Sequence, residues 1–222
     1  DSQVYEGMMT MVTSQESVEA INRSADLVQF HAGYINDLDA IVGDGEHGIN
    51  LAKAFKRVQE KLPPIHKENF GVFLKGVGIE LIASGGGAGT TFYGMAFLAA
   101  GKAAGNAEEM DAALLREIFS AGLEDILKRG GASRGDKTMI DALGPAFEKL
   151  DESIQSGKDV PEALRSAVAG ARAGAISTKE MLGKKGRSLY SSERALGTPD
   201  PGASSAYVIL CGLADVEPEL PL

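Results

Sequence analysis

Apolar residues recur three and four positions apart along most of this chain, and β-branched runs are rare; a helix buries such a pattern on one face and a strand does not. The pattern divides into eight segments. Thr13 and Glu16 have the spacing of a capping box and open the first, through Val18, Ile21, Leu27 and Val28. Leu51, Phe55, Val58 and Leu62 carry the second, which Pro63 and Pro64 should stop. Phe70, Phe73, Leu74, Val77 and Leu81 mark the third, and the fourth runs from about Thr91 to Ala104. Leu114, Leu115, Ile118, Leu123 and Ile126 form the fifth; Met139, Leu143, Phe147 and Leu150 form the sixth. Val160 to Leu182 and Ala203 to Val216 complete the set. Helices on short connections pack as antiparallel neighbours, so the expected fold is all-α, an up-and-down bundle or closed ring. A chain of 222 residues suits one domain, residues 1–222, with one buried core.

Composition narrows the function. The chain is 44% hydrophobic and 24% charged, ordinary values for a folded globular protein. A net charge of −9 argues against long contact with nucleic acid or an anionic membrane. A phosphorylated ligand would therefore need a metal ion or a few placed cations. The lone Cys211 leaves no internal disulfide and no thiol-rich metal site, which suits a reducing compartment such as the cytoplasm. The first twenty residues lack the basic start and continuous apolar core of a signal peptide. Residues 81–101 carry no charge, but the glycines among them would leave backbone groups unpaired in lipid, so no membrane span is expected.

Glycines and polar residues concentrate in four connections, 43–48, 85–91, 130–137 and 185–202, and function is expected there. The first is the sharpest. Asp39, Asp44 and Glu46 repel one another unless solvent or cations separate them, and an all-oxygen ligand set selects hard ions such as Mg²⁺. A solvated acidic turn is the plainer alternative; the glycines favour a ligand, and Gly48 opens a helix whose N-terminus attracts phosphate. Residues 43–48 also spell G-x-G-x-x-G, but no buried strand precedes them, and acids inside the loop would repel a bare pyrophosphate. The acids do not have EF-hand spacing, and no P-loop motif occurs. In the second connection, small residues and the Thr90 hydroxyl at a helix start could meet phosphate oxygens, or simply allow tight packing. The third, 129–139, alone would pass for a capped turn with Asp136 as the cap. The fourth is long and polar; Arg187 and Arg194 can pair with phosphates or carboxylates, and Pro201 stiffens the entry to the last helix.

Taken in order, Asp39 to Gly48, Gly85 to Gly94, Arg129 to Asp141 and Lys185 to Ala203 resemble the four loops of the dihydroxyacetone kinase L family, over about residues 36–205. The resemblance implies an eight-helix antiparallel barrel with ADP or ATP at one end. It implies two Mg²⁺ ions on Asp39, Asp44 and Glu46, with His47, Gly48, Ile49 and Asn50 lining the same pocket. Ala88, Gly89 and Thr90 would meet phosphate, and Gly130 and Met139 would flank adenine. Arg187, assigned the catalytic role, would close over the nucleotide with Asp200, Pro201 and Gly202. Two Mg²⁺ ions leave roughly three negative charges among three carboxylates and a triphosphate, so Arg187 would be hard to replace.

Two departures stand beside the transferred phosphate: the third acid, usually Asp, is Glu46, and the usual serine of the second loop is Gly89. The family also implies a division of labour. A separate K subunit holds the keto-sugar covalently, and the donor is either exchanging ATP or bound ADP recharged by a phosphohistidine protein of the phosphotransferase system. A free-standing chain leans toward the second donor. The alternatives are the L domain of an ATP-dependent dihydroxyacetone or erythrulose kinase, and a nucleotide-binding regulatory partner of a transcription factor.

Overall fold

A computed structural model of the chain describes residues 11–65, 69–191 and 193–222; the side chains of residues 63–65, 187 and 191 are outside that description. Among the described residues there are nine α-helices: α1 Ser14–Phe30, α2 Ala32–Val42, α3 His47–Ile65, α4 Phe70–Ala83, α5 Gly87–Ala104, α6 Ala112–Gly130, α7 Ile140–Gln155, α8 Val160–Ser177 and α9 Pro201–Ala214. A two-residue antiparallel pair, β1 (Val12–Thr13) with β2 (Glu109–Met110), and two short 3₁₀ turns complete the set. The all-α expectation holds. None of these helices is long and apolar enough to cross a membrane.

The expected capping box is present: Thr13 accepts from the Glu16 amide, and Glu16 Oε2 accepts from the Thr13 amide at 2.8 Å. The ninth helix, α2, is the departure from the expected eight. Ile35, Leu38 and Val42 give it a buried face, but Asn36, Asp37 and Asp39 between them make the stretch read as a polar approach to a loop. It follows α1 after a bend at His31, where the His31 amide still donates to Leu27 and its carbonyl still accepts from Ile35. Two further boundaries differ. Helix α3 runs past the expected stop, through Pro63 and Pro64 to Ile65, since proline's fixed φ is compatible with helical backbone. Helix α8 ends at Ser177 instead of Leu182: the Ser177 and Thr178 hydroxyls turn back onto the carbonyls of Gly174 and Ala175, and Thr178 Oγ1 accepts from the Asp200 amide.

From α3 to α9 each helix packs on the next in the chain, and α1 packs on both α9 and α3, so the succession of neighbours returns to its start. Glycines allow the closest approaches. A Cβ at Gly78 would lie 2.6 Å from the Gly94 carbonyl between α4 and α5, and one at Gly174 would lie 2.0 Å from the Asp141 carbonyl between α8 and α7. Helix α9 is apolar on nearly all sides and almost wholly buried, as such a helix must be. Inside lies an apolar cavity of about 510 Å³, lined among others by Ile21, Phe73, Phe97, Ile118, Leu143 and Leu210. Its lining draws on the N-terminal parts of α1, α4 and α8 and the C-terminal part of α9. The glycine-rich connections meet at the other helix ends.

Candidate functional site

All four glycine-rich connections contribute to one smaller cavity of about 210 Å³. Of the residues expected at a site, Asp39, His47, Asn50, Ala88, Gly89, Gly130, Met139, Asp200, Pro201 and Gly202 line it. The up-and-down connectivity explains the meeting, since the C-terminal ends of α2 and α6 and the N-terminal ends of α3, α5, α7 and α9 lie on the same side.

Asp39 anchors the first connection. It is 2% exposed, and its Oδ2 accepts the amides of Glu46 and His47 at 3.1 and 3.3 Å. Gly45, at φ 74°, permits the reversal that brings those amides back to α2. Asp44 Oδ1 also accepts from the Glu46 amide, at 3.2 Å. Gly48 is buried against α2, where a Cβ would meet the Ala32 carbonyl at 2.1 Å, and Asn36 Oδ1 accepts from the Ile49 amide. Three amides at the start of α3, those of Glu46, His47 and Ile49, therefore already have protein oxygens as acceptors. Gly48 and the exposed Ile49 are outside the cavity lining.

Asp44 and Glu46 are exposed, and neither belongs to the lining. Among the described residues, no three His, Cys, Asp or Glu side chains are gathered as a metal cluster. Mg²⁺ does not require one, because it keeps several waters and binds through one or two carboxylates plus phosphate oxygens. A buried carboxylate at the cavity wall, with two more on the same connection, fits that chemistry.

The second connection supplies the anion-attracting helix end. Helix α5 starts after Gly85 and at Gly87, both with left-handed φ, and its N-cap Gly86 has no side-chain cap. Amides at such a start attract negative charge. Thr90 is not brought to the cavity: it is 1% exposed and its hydroxyl donates to the Gly86 carbonyl at 2.9 Å. A threonine in a helix readily bonds the carbonyl four residues back, and Thr91 does the same to Gly87.

The Gly89 departure has a visible counterpart. A Cβ at Gly89 would lie 2.4 Å from His47 Cε1, so the imidazole occupies the space that a side chain at residue 89 would take. His47 Nε2 is 3.0 Å from Ser205 Oγ, which lies 2.9 Å from the Tyr93 hydroxyl and donates to the Gly202 carbonyl at 2.9 Å. Once the single Ser205 hydrogen is directed to Gly202, the hydrogen between His47 and Ser205 belongs to Nε2. Neither Ser205 nor Tyr93 was expected at the site. Both sit inside helical apolar patterns, where a hydroxyl carries no signal of its partner.

In the third connection, Gly131 (φ 56°) ends α6, and Asp141 Oδ2 accepts from the Thr138 amide at 2.9 Å. The Gly135 amide also donates to Asp141. Asp136 caps its own turn by accepting from the Ser133 amide and does not cap α7. Lys137 lines the cavity and was not expected there.

In the fourth connection, Asp200 caps α9 by accepting from the Ala203 amide at 2.8 Å, and it receives the Ser188 hydroxyl at 3.3 Å. Burial pushes its carboxyl up to about 7, against the pull of those two hydrogen bonds and of Lys137. Arg187 opens the 3₁₀ turn Arg187–Ser191, but the side chain on which its catalytic assignment rests lies outside the described residues. Arg194 Nε donates to the Ile41 carbonyl at 2.6 Å, so this arginine ties the connection to α2 beside the acidic turn.

The DAK2 domain model matches residues 41–215. The PEP-dependent dihydroxyacetone kinase, ADP-binding subunit DhaL, of Escherichia coli (strain K12) is 36% identical over 197 residues, covering 89% of this chain and 94% of that protein. The PTS-dependent ADP-binding subunit DhaL of Lactococcus lactis is 35% identical, covering 89% of this chain and 95% of that one. The dihydroxyacetone kinase from C. freundii, solved in complex with AMP-PNP and Mg²⁺, superimposes with a TM-score of 0.69 at 26% identity, over 97% of this chain and 36% of that one. The fold and the cavity thus define a helical protein of the dihydroxyacetone kinase class. The chain belongs to the DAK2 domain family.

Proposed function

We propose that this chain is the ADP- or ATP-holding subunit of a dihydroxyacetone kinase. In this reading it hands a phosphoryl group, with two Mg²⁺ ions, to dihydroxyacetone or a related short keto-sugar held covalently on a separate K subunit. The observation that carries the proposal is the convergence of four separate connections on one cavity, whose lining includes a buried carboxylate and an uncapped helix start. Asp39, Asp44 and Glu46 would hold the metal, which when bound offsets charge on the phosphates. The α5 amides would face those phosphates, while Met139 and Gly130 supply an apolar wall for adenine. Asp200 to Gly202 would close the opposite side, with Arg187 stabilising the charge of phosphoryl transfer.

Bound ADP recharged by a phosphohistidine donor of the phosphotransferase system is the favoured scheme. Its support is that the PEP- and PTS-dependent ADP-binding subunits of Escherichia coli and Lactococcus lactis are 36% and 35% identical to this chain, against 30% for the L-erythrulose kinase of Pectobacterium atrosepticum. Native mass spectrometry of the purified chain should show retained ADP. Phosphoryl transfer should appear only when Mg²⁺, a phosphohistidine donor protein to recharge the ADP, and a cognate K subunit carrying its keto-sugar are all added, and D39N should lose both. Sugar phosphorylation by this chain alone would refute the division of labour.

A further inference from the structure

Lys137 is the buried cation at this site that neither the metal nor the phosphate reading uses. It is 1% exposed, with its backbone in the left-handed region at φ 62°, which a side chain adopts only when its surroundings hold it there. An ammonium has three N–H donors and no acceptor, and burying one is tolerated only when those donors are satisfied. Here all three are used, on the carbonyls of Thr178, Ala195 and Thr198 at 2.7, 2.8 and 2.9 Å.

All three acceptors belong to the end of α8 and the fourth connection. The same region is tied at two more points: the Lys184 amide donates to the Asp136 carbonyl at 3.1 Å, and the Gly197 amide donates to Lys179 at 2.8 Å. Thr178, whose carbonyl Lys137 takes, also accepts the Asp200 amide through its hydroxyl at 2.8 Å. The fourth connection is therefore pinned beside residues 136 and 137, at Lys184 on one side and at Ala195 and Thr198 on the other. It carries Ser188 and leads directly into Asp200, Pro201 and Gly202, all in the cavity lining.

We propose that Lys137 is a positioning residue for phosphoryl transfer: its ammonium, spent entirely on three carbonyls, holds the fourth connection over the nucleotide cavity and does not itself contact phosphate. The inference rests on the function proposed above. A methionine at residue 137 keeps the stem and removes the donors. An arginine keeps the charge, but its planar fork does not match three carbonyls gathered around one nitrogen.

The test compares K137M and K137R with the wild-type chain. In nucleotide-free protein of unchanged far-UV circular dichroism, trypsin should cut at Lys184, Lys185, Arg187 and Arg194 at least tenfold faster in both variants. Mg·ADP should dissociate at least tenfold faster from both. With the K subunit present, kcat should fall while the KM for dihydroxyacetone stays at the wild-type value, because the sugar site is on the partner. Wild-type cleavage and dissociation rates in a folded K137M, or in K137R, would overturn the assignment. Should the variants fail to fold, hydrogen exchange of the wild type decides: protected amides at Lys184 and Gly197 support the pinned loop, and amides exchanging at free-peptide rates overturn it. A wild type that binds no Mg·ADP overturns the proposed function and the positioning role together; binding by the wild type with unaltered binding by K137M overturns the positioning role alone.

Discussion

Replacing Asp200 with asparagine should make the nucleotide-free protein more stable at alkaline pH and leave it nearly unchanged at pH 4. The carboxyl is 6% exposed, and burial pushes it from an ordinary 3.8 up to about 7. Below about pH 4 it is protonated in folded and unfolded chains alike and makes no pH-dependent contribution. Between about 4 and 7 the unfolded chain releases its proton and the folded chain does not, so this residue draws stability down as pH rises. Above 7 the deficit is complete. At 1.36 kcal/mol per pH unit, the interval corresponds to about 4 kcal/mol. Asparagine preserves both native hydrogen bonds: its oxygen can accept from the Ala203 amide, and its nitrogen can donate to Ser188. Urea denaturation of both proteins in EDTA, at half-unit steps from pH 4.5 to 8, should show their free-energy difference opening steadily in favour of D200N. Parallel curves, differing by less than about 1 kcal/mol throughout, would refute the claim that a buried charge strains this cap.

Two other substitutions probe the packing beneath the site. Gly89→Ser, which restores the residue usual in the resembling family, would put Cβ 2.4 Å from His47 Cε1 and drive the ring off Ser205. The loss is one hydrogen bond, about 1 kcal/mol, and imidazole ¹⁵N shifts should report a changed Nε2 environment; an unmoved ring would contradict the contact. Gly174→Ala, which in an isolated helix would be favourable, instead sets Cβ 2.0 Å from the Asp141 carbonyl and 3.0 Å from Ala142 Cα. We expect a loss of about 3 kcal/mol and a melting temperature lower by roughly 6–12 °C in calorimetry. An increase in melting temperature would show that α7 and α8 are not held at backbone contact.

Helix content and most helix positions could be read from the sequence, because a 3.6-residue apolar period and a Thr–Glu cap are local properties. The α1 capping box and the buried faces of α4 and α6 needed nothing beyond neighbours in the chain. The four candidate connections were legible for the same reason, since glycine and polar residues interrupt that period wherever they occur. Helix α2 was missed because a buried acid, Asp39, sits within its apolar face. The roles inside the connections depended on partners far away in the chain. At the α3 start the Glu46 and His47 amides met Asp39 and the Ile49 amide met Asn36, while the α5 start had no side-chain cap. Thr90 turned into its own helix. Lys137 reached carbonyls 41, 58 and 61 residues away. Hydrogen-bond donors and acceptors are indifferent to sequence separation, so residue type announced the chemistry available, and only the packed helices decided which groups met.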